Sequence, residues 1–396
     1  MAPAQESSTS LTKEISSVPL LDVGRGNKKI RQEILKKIVE VYDAGCFVYG
    51  PDCRELESRI AEISSAKYAI GCASGSEALL VALMAHDIGP GDEVILPSFT
   101  FFATASAVWR LGAKVVFADI DPSTFNMDAK HVESLVNSNT RAIIPVHLFG
   151  QCADMDLLGN LADQHGLLVI EDAAQSIGAK FNGKACGAIG HVGCFSFYPT
   201  KNLGGCGDAG MMTTDDEALS IKLRRLANHG MDPRYYHSLV GINSRLDTFQ
   251  AVALNAKLNH LEEYTSSRQD NASYYRELMD AAGLSEMLQL PEADSRCEHV
   301  WNQFTVRISA GRRDEVRAGL KQRGVGSEIY YPVPLHLQEC FQSLGYRQGD
   351  LPHTEKAAQE VLSLPIFPEL TRPEQEYVVD SLAQVMRGRD GLKLAS

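Results

Sequence analysis

From about residue 30 to 265 the chain alternates short apolar runs with helical patterns, and no other feature limits the fold as strongly. The runs lie at 69–71, 93–96, 114–118, 142–146, 167–170 and 194–197, with helical stretches such as 77–86 and 155–165 between them. Strands that are apolar almost throughout are covered on both faces, and a βα alternation lets them run parallel with helices on each side. The pattern predicts an α/β fold with a mostly parallel sheet between helices. Asp215, Asp216 and Glu217 open a further helix, where acids suit the N-terminal dipole, and Gly230 is expected to cap its end. Residues 246–285 read as long helices, with Leu254, Leu258 and Leu261 at helical spacing. Past about 290 the pattern changes: 303–308 (QFTVRI) reads as a strand, 312–323 as a helix, and 332–334 is Pro-rich. A chain of 396 residues exceeds one ordinary core. The expected organisation is a flexible tail at 1–18, a large α/β domain at 19–262 and a smaller α+β C-terminal domain at 263–396.

Charge and composition remove several function classes. The net charge is −12 and no basic stripe interrupts it, which argues against nucleic acid as a partner. The short basic run at 222–225 lies in a helical pattern that also carries acids, as a solvated face does. No stretch reaches membrane-spanning length, so no membrane role is expected. Residues 1–18 are polar and Ser-rich, without the apolar segment of a signal peptide. The nine cysteines are odd in number and form no C-x-x-C pair, so neither a metal site nor a disulfide framework is expected, and reduced thiols in a cytoplasmic protein fit. Cys194 and Cys206 flank a candidate lysine, either as nucleophiles or as small apolar packing residues.

Three segments carry chemistry. The run LLVIED ends in Glu171 and Asp172, and in open α/β sheets ligands bind beyond the carboxyl ends of strands. Asp172 can serve such a ligand or cap the next helix. The segment Ser196 to Gly205 leads an apolar strand into Lys201 and then into glycines. That setting desolvates an amine and lowers its pKa, as an imine-forming lysine requires; the alternative is a surface lysine. Ala73-Ser74-Gly75-Ser76-Glu77 stands at a strand-to-helix turn, where unpaired N–H groups favour an anion such as phosphate, or where an ordinary N-cap suffices.

Taken together and in this order, the stretches ASGSEALLVAL, GDEVILPSFTFFATA, PVHLFGQCADM, VIEDAAQSIGA, FSFYPTKNLGG, GINSRLDTFQA and YYPVPLHLQ resemble the DegT-type sugar aminotransferases of the aspartate-aminotransferase superfamily. The resemblance implies a pyridoxal 5'-phosphate (PLP) enzyme whose large domain binds the cofactor. Lys201 matches the lysine that carries PLP and then shuttles the substrate proton. Asp172 matches the carboxylate facing the pyridine nitrogen, and Gln175 the amide facing the phenolic oxygen. Phe101 aligns with the aromatic residue stacked on the ring, with plain core packing as its alternative. Gly75, Ser76 and Ser196 match the phosphate cradle. Asn243 matches an asparagine reaching the neighbouring subunit's phosphate, which would make a homodimer with shared active sites; its alternative is a turn residue. Arg245, Tyr330 and Tyr331 match positions near a substrate or donor carboxylate, and His336 is a further candidate there. His147 is left without a role.

The implied reaction takes an amine from L-glutamate and delivers it to a keto group of a nucleotide-linked sugar. YYPVPLHLQ favours C-3 over C-4, and the product would serve surface polysaccharide or glycoconjugate synthesis. Two rivals share the fold. A PLP- or PMP-dependent sugar dehydratase would carry histidine in place of Lys201. A non-catalytic regulatory or binding protein could lose Lys201 or Asp172 freely, yet both are present.

Overall fold

Seven strands build the central sheet of the computed structural model, which describes residues 15–309 and 311–388. In chain order they are β1 (Tyr68–Cys72), β2 (Glu93–Pro97), β3 (Lys114–Ala118), β4 (Thr140–Ile143), β5 (Leu168–Asp172), β6 (Val192–Ser196) and β7 (Gly210–Thr214). Their spatial order is β1-β7-β6-β5-β4-β2-β3. All neighbours from β6 to β3 pair parallel, whereas β7 pairs antiparallel with both β6 and β1. The mostly parallel α/β architecture expected from the apolar runs is therefore present. β7 was not legible, because GMMTT carries no β-branched apolar run and follows a Gly-rich turn.

Burial explains the run composition. β2 is buried at every position, and the helix Gly75–Ala85 is buried nearly all round, as a helix laid on a sheet and covered by others must be. Its Leu79, Val81 and Leu83 join Val94, Leu96 and Phe117 in one core. Ile95, Ile143 and Val169 point to the opposite face and pack on Leu158 and Ala162 of the helix Met155–His165.

A second core belongs to the C-terminal part. Phe304–Arg307 pairs antiparallel with Val361–Leu364, and the helices Leu261–Ala281, Arg313–Gln322 and Arg372–Met386 pack around them. The helix Leu261–Ala281 spans both packing units: Leu261 joins the sheet core, whereas Tyr275 and Met279 join the C-terminal one. The chain start also belongs there. Val18 is fully buried, its N–H donates to Gly324 O and its C=O accepts from Gly326 N–H. Of the tail expected at 1–18, residues 1–14 lie outside the described residues, and 15–18 are anchored because Val18 completes a core. Arg25 clamps the same junction, donating Nη1 and Nη2 to the two oxygens of Glu374 at 2.9 and 2.7 Å.

Other expectations need correction. The helix Glu217–Leu226 ends at Ala227, and Gly230 (φ +69°) follows three residues later, turning the chain while its N–H reaches back to Arg225 O. Cys152 and Cys186, 34 residues apart, form a disulfide where two loops meet, a proximity that cysteine spacing cannot reveal. Cys194 is core, whereas Cys206 is exposed. Among the described residues no helix is long and apolar enough to cross a membrane.

Candidate active site

The carboxyl ends of β5 and β6 and the turn after β1 converge on one cleft. At the turn, Ser74 caps the helix Gly75–Ala85 through a bond from Glu77 N–H. Gly75 lies so close to β6 that a Cβ there would be 2.6 Å from the Cβ of Ser196. β7 closes in from the other side, since a Cβ on Gly210 would be 2.5 Å from the Ser74 carbonyl. The exposed Ser76, the Ser196 hydroxyl and the first free N–H groups of the helix are thus gathered around a floor without side chains, which suits a phosphate.

Asp172 ends β5 with its side chain buried. Thr104 Oγ1 donates to Oδ2 at 2.8 Å and Ala174 N–H to Oδ1 at 3.2 Å. Burial pushes its pKa up, and those two bonds with the charge of Lys201 oppose the push. It is not a helix cap. Lys201 follows β6 at a turn closed by its N–H on Tyr198 O. The turn is tight, for a Cβ on Gly204 would be 2.4 Å from Pro199 O. Lys201 is half-buried, and surrounding protein crowds its amine. Burial lowers its pKa to about 8, against the opposing pull of Asp172. An amine so tuned is partly free base at neutral pH and available as a nucleophile. Its neighbour Asn202 is locked from the C-terminal unit, donating Nδ2 to Val300 O and accepting from Asn302 Nδ2, both at 2.8 Å.

Gln175 is oriented by two partners. Its Oε1 accepts Phe149 N–H at 2.7 Å and its Nε2 donates to Tyr331 Oη at 3.3 Å, leaving one amide hydrogen for a ligand. Phe101 is 60% exposed, whereas Phe99 is wholly buried, so Phe99 is the core ring and Phe101 has a face free to stack. Tyr331 lies against both, with ring centroids 5.7 Å from Phe99 and 6.5 Å from Phe101. Tyr330 packs on Phe149. The structure thus brings together Gly75, Ser76, Phe101, Asp172, Gln175, Ser196, Lys201 and Tyr331.

Asn243 and Arg245 flank Ser244, whose Oγ accepts Ala73 N–H at 3.3 Å beside the turn after β1. Asn243 is exposed and Arg245 Nη1 donates to Asn228 Oδ1 at 3.3 Å, on a segment bridged through Asn228 and Asn243. His336 does not face the cleft: it is buried, with Nδ1 2.7 Å from Ser98 Oγ and Nε2 3.2 Å from Glu355. It tethers the 330–337 segment to the loop after β2, a contact between distant segments that a motif cannot display. His147, also buried, accepts Ala153 N–H at Nδ1 and therefore donates Nε2–H to Glu171 at 2.8 Å. Glu171 further accepts Gly187, Ile189 and Gly190 N–H, which hold it ionised against burial. Although His147, Cys152 and Cys186 cluster, both ring nitrogens and both sulfurs are engaged, which leaves no ligand set for a metal. Thr104, Asn302 and the His147–Glu171 pair escaped the sequence reading, since each acts through a partner far along the chain.

Known proteins resemble this chain over most of its length. Residues 28–383 match the model of the DegT/DnrJ/EryC1/StrS aminotransferase family. The pleiotropic regulatory protein of Geobacillus stearothermophilus is 49% identical, covering 94% of this chain and 99% of its own. The UDP-N-acetyl-3-dehydro-alpha-D-glucosamine 3-aminotransferase of Acidithiobacillus ferrooxidans is 44% identical over the same two shares. The crystal structure of Streptomyces venezuelae DesV in complex with a ketimine intermediate superimposes with a TM-score of 0.90 at 40% identity, covering 94% of this chain and 99% of that one.

Proposed function

The chain belongs to the DegT/DnrJ/EryC1/StrS aminotransferase family, and from that premise we propose that it is a PLP-dependent transaminase that moves an amine from L-glutamate to the C-3 keto group of a nucleotide-linked sugar. The observation that carries the reading is the placement of Lys201 at the tight turn after β6 beside the buried Asp172 carboxylate at the sheet's carboxyl edge, where burial lowers the amine's pKa to about 8 against the pull of that carboxylate. C-3 is supported by the 3-aminotransferase from Acidithiobacillus ferrooxidans, which acts on a UDP-linked 3-dehydro sugar by its name. Cytoplasmic surface-polysaccharide or glycoconjugate synthesis is the setting we infer.

The residues present fit the cofactor. The Gly75–Ser196 approach leaves a cradle that a Cβ would fill, Asp172 keeps acceptor capacity beyond its two donors, and Phe101 offers an open ring face. Gly75, Ser76 and Ser196 would hold the phosphate, Phe101 the ring and Gln175 the phenolic oxygen. When bound, PLP supplies an electron sink for the carbanion at the donor α-carbon. Lys201 Nζ would hold the cofactor covalently and, as a free amine, would carry the proton from the donor α-carbon to the cofactor's C4′. Asp172 would face the ring nitrogen and keep it protonated. Arg245, Tyr330 and Tyr331 bind the carboxylate or sugar, and Tyr331 also orients Gln175. Asn243 reaches the phosphate of a second copy in a homodimer, in keeping with its exposure.

The test is the visible spectrum of purified protein with PLP, before and after L-glutamate. A band that forms and then bleaches is expected, and Lys201→Ala should lose both band and turnover while keeping its circular dichroism. Normal turnover by that variant sinks the assignment. A wild-type band that ignores glutamate points to another donor, and no band at all to the regulatory reading.

A further inference from the structure

Thr104 lies in the first turn of the helix Phe102–Arg110, fully buried, three residues past Phe101. Three oxygens surround its Oγ1: Asp172 Oδ2 at 2.8 Å, the Phe101 carbonyl at 3.2 Å and Thr100 Oγ1 at 3.3 Å. A hydroxyl has one proton to give. It goes to Asp172, the nearest and the only charged acceptor, since charge-assisted bonds are about twice as strong as neutral ones. Thr100 Oγ1 can then donate into the free lone pair of Thr104. Among the described residues the Asp172 carboxylate has two donors, Thr104 on Oδ2 and Ala174 N–H on Oδ1. One donor on each oxygen fixes the plane of the carboxylate and leaves a lone pair on each.

We propose that Thr104 is a positioning residue that orients the Asp172 carboxylate toward the ring nitrogen of PLP. The inference rests on the PLP reading above. The hydroxyl has a second consequence, because it works against the burial that pushes Asp172 toward its neutral acid. The other groups facing that carboxylate are Lys201, which favours its charge, the neutral His147 ring, and the Tyr331 and Cys194 side chains, which stay protonated beside it. Without Thr104, Asp172 takes up a proton at higher pH and turns more freely, and a neutral acid offers a protonated ring nitrogen no charge to pair with. The helix turn that carries the stacking ring of Phe101 thereby also sets the partner of the ring nitrogen.

The experiment titrates apo-protein with PLP from pH 6 to 9 and follows cofactor affinity. The proteins are the wild type, Thr104→Val, Thr104→Ser, Asp172→Asn and the Thr104→Val/Asp172→Asn double variant. Thr104→Val, nearly isosteric, should bind PLP roughly tenfold more weakly near neutrality, as loss of one charge-assisted bond predicts, with the deficit growing as pH falls. Thr104→Ser keeps the hydroxyl and should bind nearly as the wild type. In the Asp172→Asn background Thr104→Val should add no further loss, the signature of one shared interaction. Unchanged affinity of Thr104→Val at every pH, or an equal loss in both backgrounds, overturns the proposal. Thr104→Ala replaces the valine variant should that one not fold. A wild type that fails to take PLP rejects the cofactor reading, and this inference with it; a wild type that binds while Thr104→Val matches it rejects Thr104 alone.

Discussion

Lys201 is held by folding toward its neutral form, and that has a measurable cost. Its pKa falls from 10.5 to about 8. Between those values the unfolded chain binds a proton that the folded chain lacks, so apo-protein stability rises as pH climbs from about 8 toward 10.5. Below about 8 the charged amine is buried at full cost. Lys201→Met, which removes the charge and keeps the length, should therefore be more stable than wild-type apo-protein at pH 7, with the gap closing toward pH 10.5. Denaturant melts at both pH values check this, and an equal gap at both would contradict the burial argument. At this scale the motifs were informative: Lys201, Asp172, Gln175 and Gly75 are each local to one strand end. Thr104 was not legible, because its role is defined by a carboxylate 68 residues away. His336 was legible as a motif member but misplaced, because only the folded chain puts Ser98 and Glu355 on its two nitrogens.

Among the elements, the reversed strand β7 does most to shape the site. Its first residue, Gly210, pairs with Ser196 on one side and Cys72 on the other, and so sets the spacing of the phosphate cradle. Any side chain there meets the Ser74 backbone and cannot be relieved by rotation. Gly210→Ala is expected to cost about 1–3 kcal/mol by overpacking, and to weaken PLP binding beyond the loss in stability because Ser74 and Gly75 move. Thermal melts with PLP titration of the folded fraction separate the two effects. A variant with wild-type affinity would show that the turn is set by the helix alone. The parallel strands were readable from their apolar runs, since burial on both faces selects apolar residues at every position. β7 is equally buried, but met that demand with methionine, glycine and threonine, which propensity does not single out.

For the whole molecule, several large apolar side chains stay exposed on the surface of a single chain. Val39, Tyr42 and Phe47 are exposed at 57%, 70% and 43% along the first long helix and its exit, and Tyr235, Tyr236 and Val240 at 74%, 70% and 91%. Apolar exposure of this kind marks an interaction surface, and a second copy is the occupant we propose. The protein should sediment as a dimer, and Val39→Glu/Tyr42→Glu should shift it to monomer and lower PLP occupancy, as expected if Asn243 serves the other copy. Sedimentation velocity with parallel spectra checks both, and a monomeric variant with full PLP occupancy would remove the shared site.

The sequence by itself determined the fold class and the six strands that read as apolar runs, and its motifs singled out Lys201 and Asp172 for the proposed site. Those follow from periodicity and from residues adjacent in sequence, and periodicity is a local consequence of which face is buried. The tertiary structure alone decided which way β7 runs, that Val18 closes the C-terminal core, that Cys152 meets Cys186, and that Thr104 rather than His336 stands behind the site. Each of these is a contact between segments far apart along the chain. Such contacts depend on how layers stack and where loops meet, and no local pattern of residue types carries that information.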